Sequence, residues 1–216
     1  MERLSEKASG LKSAQYATLR ALDTPAKIQD YLDALPMNWE KQGETLLSPR
    51  KVFEEGKAHC LEGALLAATA LWIQGEVPRV LVLSSREGSG DDDHVVALYE
   101  RGGCYGAIGK TNHATIRFRD PVYRTLRELA LSFFHEWFMN TTGEKTLESY
   151  SKPFDLSRLG AAWVSAEDLR DVDELLARLP YYPLITKRHW RHVRRADPME
   201  LAAGRLEEWP ESDPHT

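Results

Sequence analysis

Two kinds of apolar spacing occur along the chain, one typical of helices and one typical of strands. Apolar residues recur every three or four positions in several segments, two of which begin with the helix start signals Thr24-Pro25 and Ser48-Pro49. The helices predicted in this way cover residues 24–35, 48–55, 60–73, 120–138, 165–179 and 198–209. Runs of β-branched and aliphatic residues predict strands at 79–84, 94–99 and 105–109, with a possible fourth strand at 115–119.

The order of these elements predicts the fold class. Arg-Gly-Gly at 101–103 predicts a tight hairpin, so we expect an antiparallel sheet. Because helices precede and follow the strands, the chain is expected to adopt a helix-rich α+β fold. Its 216 residues suffice for one well-packed core, and no repeat or linker interrupts them, which predicts a single domain over 1–216. Within it we expect a core at 20–140, a C-terminal helical extension at 141–210 and a frayed polar tail at 211–216.

Composition and charge narrow the class of protein. A hydrophobic content of 42% and a charged content of 28% are ordinary for a globular protein. The net charge of −5 argues against nucleic acid or an anionic membrane as the main partner. The chain has neither the roughly 20-residue apolar run of a membrane helix nor a secretory signal, so we expect a cytoplasmic protein. In that reducing compartment Cys60 and Cys104 are expected to remain free thiols.

Cys60 has the most informative position of any residue in the chain. It follows the small-residue turn that begins at Gly56 and opens a fourteen-residue apolar helix pattern. The first turn of a helix offers unpaired N–H groups and the positive end of the helix dipole, which together favour a thiolate. The alternative is that Cys60 is a small buried apolar residue, as single cysteines on apolar helices usually are. The polar neighbour His59 and a histidine later in the chain favour a functional thiol.

That later histidine is His94, which begins a predicted strand directly after the loop at 88–93. A nucleophilic cysteine needs a base within hydrogen-bond reach, and the base needs a third group that fixes its orientation. A histidine at the edge of the sheet, facing the start of a helix, meets the first requirement. The sequence therefore predicts a Cys60–His94 pair.

The run from 52 to 112, about a third of the chain, resembles the transglutaminase-like superfamily of papain-like cysteine enzymes. The resemblance is carried by Cys60 at a helix start, by Glu62-Gly63-Ala64 after it, and by His94 at the head of a strand before a hairpin. It implies a cysteine-bearing helix packed on a small antiparallel sheet, with extra C-terminal helices in this chain. It also implies an amidase, peptidase or acyl transferase that acts on a peptide, a protein or a small amide, without a cofactor.

In the roles that the resemblance implies, Cys60 is the nucleophile and His94 is the general base and acid. Backbone N–H groups at the start of the Cys60 helix would bind the oxyanion. The superfamily places an orienting aspartate on the strand after the hairpin, where this chain has Gly109 or Lys110. We expect Asn112 to orient His94 instead, ahead of two other candidates. Those candidates are the loop residues Asp92 and Asp93, and we further expect supporting roles for His59 and Lys110.

Three alternatives remain open from the sequence. A chain with an incomplete triad can persist as a catalytically inactive binding module on the same fold. The basic stretch at 187–195 contains an aromatic residue among its charges and could contact nucleic acid, although a solvated helix face is the simpler explanation. Zinc could bind His59, Cys60, His94 and His113, but their spacing matches no zinc motif, so we predict no metal site.

Overall fold

The computed structural model describes residues 2–41 and 43–208, which form an α+β fold around one antiparallel sheet. Trp209 and the expected frayed tail at 211–216 lie outside the described residues. The helices are α1 Glu6–Ser9, α2 Ser13–Ala21, α3 Pro25–Ala34, α4 Pro49–Glu55, α5 Cys60–Ile73, α6 Leu126–Phe134, α7 Arg170–Ala177, α8 Lys187–Trp190 and α9 Pro198–Gly204. The strands are β1 Arg79–Ser85, β2 His94–Arg101, β3 Cys104–Ile108, β4 Phe118–Tyr123, β5 Leu147–Ser151, β6 Phe154–Asp155 and β7 Tyr181–Pro183. Two short 3-10 helices lie at Leu156–Leu159 and Ala162–Ser165.

The sheet has the strand order β4-β3-β2-β1-β5-β7, and β6 pairs with β1 beside β5. Every recorded pairing is antiparallel, and β1 pairs with β2 so that Leu83 lies opposite His94. The β2–β3 hairpin turns through Gly102 and Gly103, whose φ angles of 58° and 76° lie in the left-handed region that glycine adopts without steric cost. His94 therefore begins a central strand at the end of the sheet away from the hairpin.

The helix that begins at Cys60 lies against one face of the sheet. Every residue of α5 after Cys60 is buried, because the helix is apolar on all sides and is covered by the sheet on one side and by α2, α3 and α4 on the other. Alternate strand residues face opposite sides, so Val80, Val82 and Val95 join the core around α5. Their neighbours Leu81, Leu83 and Val96 join a second core with α6.

The prediction of an α+β fold with an antiparallel sheet is confirmed, as is the helix at 60–73 and the strands at 79–84, 94–99 and 105–109. The helix expected at 120–138 is wrong at its start, since residues 120–123 belong to β4 and the helix begins only at Leu126. Pro121 signalled a helix start, but an edge strand such as β4 also tolerates proline.

The sheet is larger than expected because the C-terminal third of the chain adds strands to it. Residues 147–183, which the sequence assigns to a helical extension, contribute β5, β6 and β7. The helices expected at 165–179 and 198–209 are present but shorter, as α7 and α9. Within the described residues, no helix combines the length and the apolar character that crossing a bilayer requires.

Lys110 lies beneath the first turns of α5. Its side chain is 1% exposed, and its Nζ donates a hydrogen bond of 2.6 Å to the Leu35 carbonyl oxygen. A Cβ on Gly63 would lie 2.4 Å from the Cβ of Lys110, so only glycine lets the helix approach this side chain. Lys110 therefore supports the position of the Cys60 helix from below, and burial lowers the pKa of its ammonium group.

Gly63→Ala is expected to destabilise the protein by on the order of 1–2 kcal/mol, although alanine is the better helix former. The reason is the collision with the Lys110 Cβ, which a rotamer change cannot relieve. Urea denaturation measures the effect. Asp30→Ala, at an exposed position of α3, is the matched control and is expected to change the unfolding free energy by less than about 0.5 kcal/mol. Equal stability of Gly63→Ala and the native chain would contradict this account of the packing.

Candidate active site

A cleft of about 1120 Å³ opens at the end of the sheet where α5 and β2 both begin. Its walls come from the segment before α4, from the loop before β2, from the segments that follow β3 and α6, and from α7. Its polar lining includes Asn38, Glu40, Thr45, His59, Cys60, Asp91, Asp92, Asp93, Asn112, Asp173 and Arg205. The cleft thus collects residues from segments that are far apart in sequence.

Cys60 is the first residue of α5 and is partly exposed to the cleft. Its Sγ lies 4.0 Å from the carbonyl oxygen of Asp93, which places the thiol beside the residue that precedes His94. The first N–H groups of a helix have no partner within the helix. Within the described residues, the Cys60 N–H also has no hydrogen-bond acceptor outside it. A free donor therefore lies on the residue that carries the sulfur.

His94 is 5% exposed, and its ring is fixed by packing rather than by a carboxylate. The Trp137 ring meets it edge-on with 6.0 Å between ring centroids. The Trp137 Nε1 in turn donates to the Ser85 Oγ at 3.1 Å and to the Asp91 Oδ2 at 3.0 Å. On the other side, a Cβ on Gly109 would lie 2.9 Å from the His94 Nε2, so the ring rests directly on the glycine backbone.

The expected orienting contacts to His94 are absent. Its Nε2 is buried and has no hydrogen-bond partner among the described residues, which corrects the expectation that Asn112, Asp92 or Asp93 orients the ring. Asn112 lines the cleft, but its side-chain amide makes no hydrogen bond within the described residues. The Asp93 carboxylate instead accepts hydrogen bonds from the Ser85 N–H and the Ser84 Oγ.

The strand register places a different residue opposite His94 from the one that the sequence predicts. The last recorded pair between β2 and β3 is Ala97 with Ile108, and continuing this register by three residues on each strand places Thr111 opposite His94. The sequence analysis had placed Gly109 or Lys110 there. The Lys110 side chain is directed under α5, so the supporting role expected for it is structural rather than a contact with His94.

His59 forms the N-cap of α5, and a buried carboxylate holds it. The Nδ1 lies 3.3 Å from the Leu61 N, and the Nε2 lies 3.0 Å from the Thr45 carbonyl oxygen and 3.3 Å from the Glu62 Oε1. The His59 N–H donates to the Glu62 Oε2 at 2.8 Å, which completes a capping box. His59 is thus fixed through both its backbone and its ring.

Glu62 is 0% exposed, and the groups directed at its carboxylate are hydrogen-bond donors. Besides His59, it accepts from the Leu47 N at 2.9 Å, from the Thr45 Oγ1 at 3.0 Å and from the Asn38 Nδ2 at 3.1 Å. A buried carboxylate is tolerated only when it is satisfied in this way. In the sequence, the only signal of this role is the three-residue spacing from His59 to Glu62, which is typical of a capping box.

The surroundings of Cys60 favour its charged form. Burial by itself raises the pKa of the thiol, but hydrogen bonding and positive charge from His59 and His94 outweigh that effect and lower the pKa to about 6. For His59, burial lowers the pKa, while contacts with the Cys60 sulfur, with Glu62 and with Thr45 raise it to about 9. The two groups stabilise each other as thiolate and imidazolium.

The sequence also raises a zinc site and a nucleic-acid contact. No group of three histidine, cysteine or acidic side chains in residues 2–41 and 43–208 is arranged to hold a metal ion. None of the basic residues at 187–195 lines the cleft. Arg194 in this stretch is paired with Asp197 and Glu200 at 3.5 and 3.1 Å.

Comparison of the chain with protein-family models and with curated proteins found no match. The resemblance to the transglutaminase-like superfamily therefore rests on the residues around Cys60 and His94.

The rate of Cys60 alkylation by iodoacetamide is expected to rise with pH through an inflection near pH 6 and to level off above it. The reason is that only the thiolate reacts, and the two histidines favour the thiolate. Cys104→Ser removes the other thiol, and Cys60→Ser in that background supplies the blank. An inflection near pH 8.5, where an ordinary cysteine ionises, would show that the histidines do not act on the sulfur.

Proposed function

We propose that this protein is a cysteine-dependent acyl hydrolase or acyl transferase built on a transglutaminase-like core. The observation that carries the proposal is a thiol at the start of a buried helix, open to a cleft, beside two histidine rings that favour its thiolate. Such a thiolate is a nucleophile near neutral pH. A purely structural cysteine on an apolar helix has no need of such neighbours.

In the first step the Cys60 sulfur attacks the carbonyl carbon of the substrate, and a C–S bond forms while the carbonyl oxygen takes the negative charge. The free Cys60 N–H, at the positive end of α5, is placed to donate to that oxygen. Collapse of the intermediate breaks the bond to the leaving group, which takes a proton from the His94 imidazolium when it is an amine. The products of this half are the free amine and a thioester on Cys60.

In the second step His94 removes a proton from water, or from an acceptor amine, as that molecule attacks the thioester carbonyl. The C–S bond then breaks, the acyl product leaves, and the thiolate and imidazolium are restored. Asp91 contributes to this step only through Trp137, whose ring packs edge-on against the ring of His94. The pair thus needs no cofactor, because the thiolate and one histidine account for every bond and proton.

The charge of the cleft favours cationic substrates. Among the described residues that line the cleft, seven carry carboxylates and only Arg205 carries a fixed positive charge. Within the described residues, the carboxylates of Asp92 and Asp173 have no hydrogen bond or ion pair, and they face the same cleft as Cys60. We therefore propose acyl substrates, such as peptides, with a lysine or arginine side chain near the reacting carbonyl.

The second candidate function is a binding module that retains the cleft without turnover. The observation that favours it is the unpartnered Nε2 of His94, because a general base without an orienting group is a weaker catalyst. Such a module would bind the same class of cationic peptide.

Hydrolysis of p-nitrophenyl acetate tests the two candidates. The native chain is expected to show turnover that Cys60→Ala abolishes and that His94→Ala lowers by about 10²–10⁴-fold, the usual contribution of a general base. Cys104→Ser is the matched control and is expected to retain the native rate, since Cys104 does not line the cleft. A native rate equal to that of Cys60→Ala would rule out the enzyme and leave the binding module.

Substrate charge is tested with two p-nitroanilide peptides that differ only in lysine or glutamate beside the reacting carbonyl. We expect the lysine peptide to have the higher kcat/KM and the double variant Asp92→Asn, Asp173→Asn to reduce this preference by about tenfold. Each neutralised carboxylate removes attraction for the lysine ammonium and repulsion of the glutamate. Added salt screens the remaining charges and is expected to lower the preference further. A preference that the double variant leaves unchanged would show that the cleft carboxylates do not select substrate.

A further inference from the structure

The thiol of Cys60 has two histidine neighbours, whereas the mechanism above uses only one of them. His59 precedes Cys60 on the same helix start, and His94 reaches it from β2. Both rings lower the pKa of the thiol. Their other contacts differ in kind, and this difference indicates different roles.

The Nε2 of His59 is surrounded by acceptors. The Thr45 carbonyl oxygen lies at 3.0 Å, the Glu62 Oε1 at 3.3 Å and the Glu40 Oε1 at 3.8 Å. A nitrogen with this surrounding keeps its proton, so His59 gains or loses charge only at Nδ1. In the neutral ring Nδ1 accepts from the Leu61 N at the long distance of 3.3 Å, and in the charged ring it is a donor available to the sulfur.

His94 has the opposite surroundings. Its Nε2 rests on the Gly109 backbone without a partner in the described residues, and its other contact is the edge of the Trp137 ring. Among the described residues, no carboxylate forms an ion pair with the His94 ring. The geometry thus leaves His94, rather than His59, without a partner that would compete with proton transfer to the substrate.

We infer that Glu62 holds His59 as the permanent cationic partner of the Cys60 thiolate, and that His94 is left to move the proton. This inference rests on the proposed function for the role of His94, but not for the Glu62–His59–Cys60 contacts. In the superfamily a carboxylate orients the general base. Here the carboxylate of Glu62 contacts His59 and not His94. Glu62 acts through His59 and is a positioning residue.

The charged groups around His59 come from each of the elements packed against it. Glu62 and Cys60 lie on its own helix, Glu40 comes from the segment before α4, Asp173 from α7 and His94 from β2. Three of these five are carboxylates, so the sum of charges stabilises the imidazolium. When the pH rises through the His59 pKa of about 9, His59 loses its positive charge and no longer stabilises the thiolate. The thiol, with a pKa of about 6, is already ionised at that pH.

The test compares His59→Asn with His94→Asn, both in the Cys104→Ser background. Asparagine is a good N-cap, so His59→Asn keeps an acceptor for the start of α5 while it removes the cation. We expect its iodoacetamide inflection to move from near pH 6 up by more than one unit, which lowers the alkylation rate at pH 6.5 by on the order of tenfold. A thermal melt of each variant confirms that it is folded.

Hydrolysis of p-nitrophenyl acetate then separates the two histidines, because its leaving group needs no proton. His59→Asn is expected to lose most of its activity at pH 6.5 and to regain the native rate near pH 9, where its thiol ionises without help. His94→Asn is expected to release one equivalent of p-nitrophenol and then stall at both pH values, since the thioester has no base to complete its hydrolysis. Cys60→Ala supplies the background rate at each pH.

Glu62→Gln keeps the size of the side chain and removes its charge, and it is expected to shift the alkylation inflection in the same direction as His59→Asn. If this variant does not fold, the two histidine variants decide the matter alone. An alkylation inflection that stays near pH 6 in His59→Asn would overturn the inference. So would ester hydrolysis that recovers at high pH in His94→Asn but not in His59→Asn. If the native chain hydrolyses no ester, the proposed function fails, while the alkylation profiles still decide whether Glu62 and His59 hold the thiolate.

Discussion

The buried carboxylate of Glu62 connects the segment before α4, the N-cap of α5 and the ring of His59. It accepts hydrogen bonds from the backbone of Leu47 and His59 and from the side chains of Asn38 and Thr45. Removing such a charge from water costs several kcal/mol unless donors replace the lost hydration, so these donors must stay in place for the chain to fold. One constraint therefore fixes both the wall of the cleft and the start of the helix that presents Cys60.

The sheet supplies the second half of the site by a different principle. His94 begins β2, where the strand leaves the loop at 91–93, and the helix dipole of α5 is directed at the same place. Gln29 from α3 donates to the Gly109 carbonyl oxygen and accepts from the Gly109 N–H, which fixes the backbone on which the His94 ring rests. The thiol and the histidine thus approach each other because two rigid elements end at one point, as functional sites generally require.

Local sequence patterns were sufficient for the parts of the fold that local physics decides. The apolar run from Cys60 to Ile73 forms a helix because it is fourteen residues long and rich in alanine and leucine. The shorter runs that include Val80 and Val96 are rich in valine and form strands. Patterns failed where distant pairing decides. The short polar strands β5 and β7 are strands because they extend the edge of a sheet that is already formed, and neither has a distinctive pattern of its own.

The same distinction applies to the site. The positions of Cys60 and His94 in the fold could be predicted from the sequence, because a helix start and a strand start are local features. The group that orients a histidine could not, since it depends on register and on side-chain direction. Thr111 rather than Gly109 falls opposite His94, and the Asp93 carboxylate binds Ser84 and Ser85 instead of the His94 ring. Glu62 was visible in the sequence only as a capping signal, and its burial beneath His59 required the three-dimensional arrangement.

The central claim is that Cys60 becomes acylated, and intact mass spectrometry tests it most directly. The His94→Asn protein is mixed with p-nitrophenyl acetate and quenched in acid. Because this variant lacks the base that activates water, a thioester formed on Cys60 persists and can be detected. The account predicts the addition of one acetyl group, assigned to Cys60 by peptide mapping and released by hydroxylamine, with none in Cys60→Ala. Unmodified Cys60, or an acetyl group carried by lysine side chains in both proteins, would contradict it.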